Sequence, residues 1–253
     1  MKTNLLILPV ALLLAANAEA ALVLDESFSY PDGPIVGAPG STWTTHSGTA
    51  GQANVASGQL SLTESESEDV NAPLSGGPYT VASGAVLYSS FTVSFSALPS
   101  GGGGYFAHFR DTGTGFRARV FASTTNAAPG SFRFGIGNSS GATATSGQIV
   151  TDVSLNTPYT IVTRYDVASG SSTIWLNPTA ETDSNVTASD APGAIDISSY
   201  AFRQSLATGS GMGTLTVDNL KVGTTFAEVV PEPSTFALLS LGVAGLLARR
   251  FRR

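Results

Sequence analysis

The chain contains no cysteine, which excludes disulfide staples, thiolate metal sites and a cysteine nucleophile, and leaves burial as the source of stability. Charge is scarce too. Asp, Glu, Lys and Arg make up 12% of the 253 residues, about half the usual share, and Gly, Ser, Thr and Ala stand in their place. Basic residues are the scarcest. With Lys2 and the four terminal arginines set aside, seven remain; with Glu19 and Glu232 set aside, sixteen acidic residues remain, a formal charge of −9. That balance argues against generic nucleic-acid binding. His46 and His108 are the only histidines, and neither sits in a nucleophile-elbow or metalloprotease pattern. Helical periodicity is nearly missing between the two ends, and so is any fixed-period repeat of the kind a β-helix requires.

What is present is alternation of period two. Phe91, Val93, Phe95 and Ala97 alternate with Thr92, Ser94 and Ser96, as do Phe132, Phe134 and Ile136 with Arg133 and Gly135; these read as half-buried strands. The same reading predicts strands over 22–28, 54–62, 104–110, 116–122, 159–167, 173–177, 195–203 and 214–222. Turn residues separate them, among them Pro31-Asp32-Gly33, Ser57-Gly58, Pro129-Gly130, Ser169-Gly170 and Pro192-Gly193. Many short strands without a helical crossover predict an all-β fold, an antiparallel β-sandwich.

Both ends differ from this body. Lys2, the apolar run Leu5 to Ala16 and Ala18-Glu19-Ala20 form the three regions of a signal peptide, residues 1–20, so the mature chain is expected to start at Ala21. At the other end Pro231-Glu232-Pro233 precedes an uncharged stretch from Phe236 to Ala248, closed by Arg249, Arg250, Arg252 and Arg253. The prolines hold an extended, accessible segment, and the stretch is short for a full span, with arginines that favour the cytoplasmic side. This end resembles the PEP-CTERM tail of bacterial exported proteins. The resemblance implies a hydrophobic sorting helix over 229–253 and an exosortase, a membrane-embedded transpeptidase, as processing partner. It also implies an inner-membrane intermediate, then the cell surface or extracellular matrix of a Gram-negative-type bacterium. An ordinary membrane anchor is the alternative reading.

The body, 21–228, carries a second resemblance. Asp25-Glu26-Ser27-Phe28-Ser29-Tyr30-Pro31-Asp32-Gly33-Pro34, followed by Trp43 and by Val55-Ala56-Ser57-Gly58-Gln59-Leu60, looks like the opening of concanavalin A-like jelly rolls. The hairpin from Tyr159 to Pro178 resembles that of laminin-G-like domains, and Leu215 to Gly223 resembles a terminal strand. That superfamily holds lectins, carbohydrate-binding modules, adhesion domains and glycosidases, so fold alone does not choose the function.

Three constellations bear on chemistry. Glu64, Glu66 and Glu68 alternate with serines, so in a strand their carboxylates share one face, as in the acidic strand of retaining glycosidases of this fold; a solvated edge is the other reading. Arg110, Arg117, Arg119 and Arg133 fall in three consecutive strands. Parity puts Arg117 and Arg119 on one face opposite Phe116, Ala118 and Val120, and His108 with Arg110. With Tyr105 these residues form a candidate ligand face for carboxylated or sulfated glycans; outward arginines paired with local acids such as Asp111 are the alternative. Trp43 and Trp175 are candidates for sugar stacking or for the core. No catalytic or metal-binding residues are expected, save a structural calcium if paired terminal strands bring Asp25 or Glu26 near Asp218. The expectation is a non-catalytic exported protein contacting polysaccharide, with a glycoside hydrolase or polysaccharide lyase, and a structural matrix protein, as alternatives.

Overall fold

Strands with one apolar face are stable only when those faces meet. The structure, a computed structural model, places them in two facing antiparallel sheets. It describes residues 22–205 and 210–230; the expected signal peptide with Ala21, and the tail from Pro231 to Arg253, lie outside the described residues. In chain order the strands are β1 (Leu24–Glu26), β2 (Gly33–Pro34), β3 (Thr44–Ser47), β4 (Asn54–Ala56), β5 (Gln59–Thr63), β6 (Asp69–Pro73), β7 (Val86–Ala97), β8 (Gly104–Arg110), β9 (Phe116–Ser123), β10 (Arg133–Gly137), β11 (Tyr159–Asp166), β12 (Ser171–Leu176), β13 (Asn185–Thr187), β14 (Ser199–Phe202) and β15 (Thr214–Gly223), followed by a one-turn helix, α1 (Phe226–Val229).

The larger sheet runs β13-β12-β11-β7-β15-β5-β4-β2, with β1 also on β15; the smaller runs β10-β9-β8-β14-β6-β3. This is the expected jelly-roll sandwich. Its terminal strands pair as expected, Asp25 opposite Lys221 and Glu26 opposite Leu220. Period two does the sorting: Phe91, Val93 and Phe95 of β7 are buried, while Thr92 and Ser94 between them are only partly so. Across the core they meet rings of the smaller sheet edge to face, Phe91 on Phe106 at 6.0 Å and on Phe202 at 5.8 Å, and Phe95 on Phe134 at 5.8 Å. Such tilted contacts are favoured by the ring quadrupole.

The opening motif is structural. The buried carboxylate of Glu26 accepts the Phe28 amide at 2.6 Å, the Tyr30 hydroxyl at 2.7 Å and the Trp43 indole N–H at 2.8 Å, and burial together with this carboxylate pushes the Tyr30 hydroxyl up to about 12. Trp43 is 2% exposed and packs on Phe28 and Phe202, so it is a core residue. Trp175 is equally buried but on the outer side of the larger sheet. There α1 lays Phe226 and Val229 over Trp175, Tyr88 and Val162, with Leu22 and Val230 at the margin. The two ends of the described body thus meet on one patch.

One expectation fails here. The Glu64-Glu66-Glu68 row is not a strand: β5 ends at Thr63, β6 begins at Asp69, and 64–68 is the turn that hands the chain from the larger sheet to the smaller. The carboxylates diverge. Glu64 accepts the Gly213 amide at 2.6 Å, whereas Glu68, fully buried, accepts the Gln52 and Ala53 amides at 2.7 Å each and the Thr45 hydroxyl. Gly48 makes this close approach feasible. At φ +75° a Cβ there would stand 1.8 Å from the Ser67 carbonyl oxygen, a spacing only glycine avoids.

Candidate functional site

The outer face of the smaller sheet carries a cationic and aromatic cluster that strict alternation would not assemble. In an unbroken strand Tyr105 would share a face with Phe109, opposite His108. Instead β8 is irregular against β9 between Tyr105 and Ala107 and again between Ala107 and Phe109. Phe106 and Ala107 are both buried in the core, so Tyr105 and His108 emerge together, ring centroids 5.5 Å apart. On β9, Ala118 adopts φ +49°, and Phe116 and Arg119, three residues apart, likewise reach one side. Bulges re-aim side chains in this way.

Around His108 the rings and guanidinium groups are close. Phe116 lies 4.4 Å from it centroid to centroid, and His46, from β3, lies 6.2 Å away. Arg119 and Arg203 place their guanidinium carbons 4.5 and 4.3 Å from the Tyr105 ring centroid, within cation–π range. The polar atoms here are short of partners: Nε of Arg110, Nε of Arg119 and both ring nitrogens of His46 and His108 are buried without a hydrogen bond. Burial, reinforced by the neighbouring arginines, holds His108 well below its usual range. Burial and the Arg110 charge lower His46 to about 4, so both imidazoles are neutral at pH 7.

No carboxylate of the described residues lies within ion-pair distance of the cluster. Among the described residues the ion pairs are Arg133–Asp152 at 2.5 Å, Arg164–Asp166 at 3.4 Å and Lys221–Asp25 at 3.4 Å; Arg110, Arg117, Arg119 and Arg203 have none. Asp69, whose carboxyl accepts the Gln204 amide, is pushed up to about 6 by burial, with the Arg203 charge opposing.

Of the residues expected from sequence, Tyr105, His108, Arg110 and Arg119 come together. Arg117 does not join them. It pairs with core-facing Phe109 across the irregular ladder and donates from Nε to the Gly193 carbonyl, so the expectation that Arg117 and Arg119 share a face opposite Phe116 is corrected by the bulge. Arg133 is held by Asp152, not Asp111, whose carboxylate binds the Gly113 and Gly115 amides of its own turn. His46, Phe116 and Arg203 complete the cluster and were not singled out from sequence as its members; the only signal for Arg203 was its alternation with Phe202 at the end of a predicted strand.

The calcium arrangement is likewise not formed. Asp25 pairs with Lys221, Glu26 is occupied by its three donors, and Asp218 accepts its own neighbour's amide at 2.7 Å. An open cleft of about 420 Å³ beside Pro78, Asp111, Ile195 and Asp196 is lined by carboxylates that hold backbone N–H groups, the Asp196 carboxylate that of Val81.

Residues 229–253 match the PEP-CTERM protein-sorting motif, the signal of an exported protein. No curated protein matches the chain. Among solved structures, the body is similar to Trypanosoma rangeli sialidase in complex with the inhibitor DANA, at 13% identity and a TM-score of 0.51, over 82% of this chain and 32% of that one. A conserved carbohydrate esterase from the Shiga toxin-encoding bacteriophage phi24B is similar at 14% identity and a TM-score of 0.51, over 81% of this chain and 99% of that one. The chain spans about a third of the sialidase, and likeness at these identities shows the fold alone.

Proposed function

We propose that this exported protein is a non-catalytic surface or matrix component that is sorted by an exosortase and contacts acidic polysaccharide through the outer face of its smaller sheet. The sorting motif supports the first part: Pro231, Glu232 and Pro233 are the segment the enzyme reads, and the apolar tail with Arg249, Arg250, Arg252 and Arg253 holds the precursor in the membrane until it is cut.

The observation that carries the second part is the set of unneutralised arginines. In a body with a formal charge of −9, Arg110, Arg119 and Arg203 gather around Tyr105 and His108 and form no ion pair among the described residues. Arg119 and Arg203 each donate from one terminal nitrogen to a carbonyl, of Ser140 and Tyr105, at 3.4 Å, and the remaining guanidinium N–H groups are the donors a carboxylate or sulfate would take. The two histidines, neutral and with their ring nitrogens buried, add no repulsion. Hydrolysis has no comparable support, because the candidate carboxylates Glu64 and Glu68 are committed to backbone amides.

The test is a titration of the exported body with an acidic and a neutral polysaccharide at low and high salt. The wild type is expected to bind the acidic polymer with an affinity that falls as salt rises. An Arg119→Gln, Arg203→Gln double variant should bind at least about tenfold more weakly, since one charge-assisted hydrogen bond contributes ~1.5–3 kcal/mol. Equal binding by both proteins would overturn the reading and leave a matrix role without ligand; product release by the wild type would replace it with an enzyme.

A further inference from the structure

Three asparagines are followed two residues later by Ser or Thr within the described strands and loops, and the structure separates them sharply. Asn177-Pro178-Thr179 carries the proline that the N-linked acceptor pattern forbids. Asn138-Ser139-Ser140 satisfies the pattern, but Asn138 is 2% exposed and its amide is spent: Oδ1 accepts the Ser172 amide at 2.8 Å, and Nδ2 donates to the Asp190 and Ala188 carbonyls at 2.6 and 3.4 Å. The third, Asn185-Val186-Thr187, is β13 itself.

From this strand we infer that Asn185 is a glycosylation site, taking an oligosaccharide from a polyprenyl-diphosphate carrier. β13 is an edge strand of three residues, paired only with β12, so its other edge is free for a transferase to engage as extended backbone. Alternation puts Asn185 and Thr187 together on an exposed face, while Val186 turns inward to the core. The acceptor amide and the hydroxyl that must be read with it therefore lie on one face, the hydroxyl sharing a single bond of 3.0 Å with that of Thr173. Asn185 Nδ2 donates one N–H to the Asp183 carbonyl at 3.0 Å, a local bond on an exposed turn that leaves the second N–H unspent.

In the transfer the Nδ2–C1 bond forms as the C1–O bond to the diphosphate breaks; the diphosphate leaves with its lipid, and the amide proton passes to the transferase or solvent. Export, which the sorting motif establishes, brings the chain to the compartment where such transferases act. The sugar would also answer a physical need, because a free strand edge is a template for pairing with another chain. Asn185 lies opposite Trp175 on the outer side of the larger sheet, so a glycan there leaves the arginine face of the other sheet uncovered.

The experiment expresses the full-length precursor in a bacterial host that exports it and carries a lipid-linked oligosaccharide pathway with its oligosaccharyltransferase, alongside a known acceptor protein as control. Intact mass and peptide sequencing are expected to find one glycan, on the peptide containing Asn185. It should vanish in Asn185→Gln and in Thr187→Ala, and persist in Thr187→Ser and in Ser140→Ala, which removes the Asn138 pattern without touching that buried amide. An unmodified chain in cells that modify the control, or a glycan that survives Asn185→Gln, would overturn the assignment.

Discussion

Carboxylates in this protein are mostly backbone ligands. Asp32 holds the Ser57 amide, Asp183 those of Thr179 and Ala180, Asp190 those of Asn138 and Ser139, and Glu228 those of Thr224 and Thr225. With no disulfides to fix the loops, the acids fix them, and so they are not available to neutralise the arginines. That division was not legible in the sequence, where sixteen acids and seven bases suggest only a negative surface. Burial adds a pH dependence of two signs. Between about pH 4 and 6 folded Asp69 keeps a proton that the unfolded chain has lost, so its contribution to stability is present at low pH and fades as pH rises through 6. Between about pH 4 and 6.5 folded His46 lacks a proton that the unfolded chain holds, and its contribution fades as pH falls. The two offset one another. Asp69→Asn, which keeps an acceptor for the Gln204 amide, is therefore expected to lose stability more steeply than wild type as pH is lowered from 6.5 to 4. Urea unfolding across that range would show it, and parallel curves would refute it.

At the scale of elements, the strands with strong alternation were read from sequence almost to the residue: 104–110 is β8, and 159–167 and 214–222 differ from β11 and β15 by one residue at one end. The strands that were not foreseen, β2 (Gly-Pro), β3 (Thr-Thr-His-Ser), β6 (Asp-Val-Asn-Ala-Pro) and β13 (Asn-Val-Thr), are short and polar, and pairing with stronger neighbours defines them rather than any pattern of their own. The Glu-Ser alternation of 64–68 shows the reverse error, a strand period in a turn. Bulges are the third gap, since a one-residue slip changes which side chains meet, and here it decides the membership of the cationic cluster. The turn yields a direct prediction. Glu68→Gln would turn an amide N–H toward donors and break the clasp between the loop at 48–53 and the crossing segment, costing about 1.5–3 kcal/mol. Glu66→Gln should stay within about 0.5 kcal/mol. Denaturation midpoints at constant m-value separate the two, and equal effects would mean the clasp is not stabilising.

For the whole molecule, the two outer faces differ in what they carry. The smaller sheet presents the cluster around His108, while the larger presents α1, and the sorting-motif match begins at Val229 inside that helix. In the sequence only Val230 lies between the buried Val229 and Pro231. Replacing Glu232 by Ala should leave the precursor uncut, with Arg253 still present by intact mass in a host that carries the exosortase; cleavage at the wild-type rate would refute the sorting role of that residue. The path of the chain behind α1 has a mechanical consequence. A drag force on the tail would first peel Phe226 and Val229 from Trp175 and would then pull along β15. That strand lies inside the larger sheet, with β7 along one edge and β5 and then β1 along the other. Tension on it is shared by a row of hydrogen bonds lying across the direction of pull, loaded in shear rather than opened one at a time. A pull from the C-terminal side would thus be carried by a strand bonded to three others.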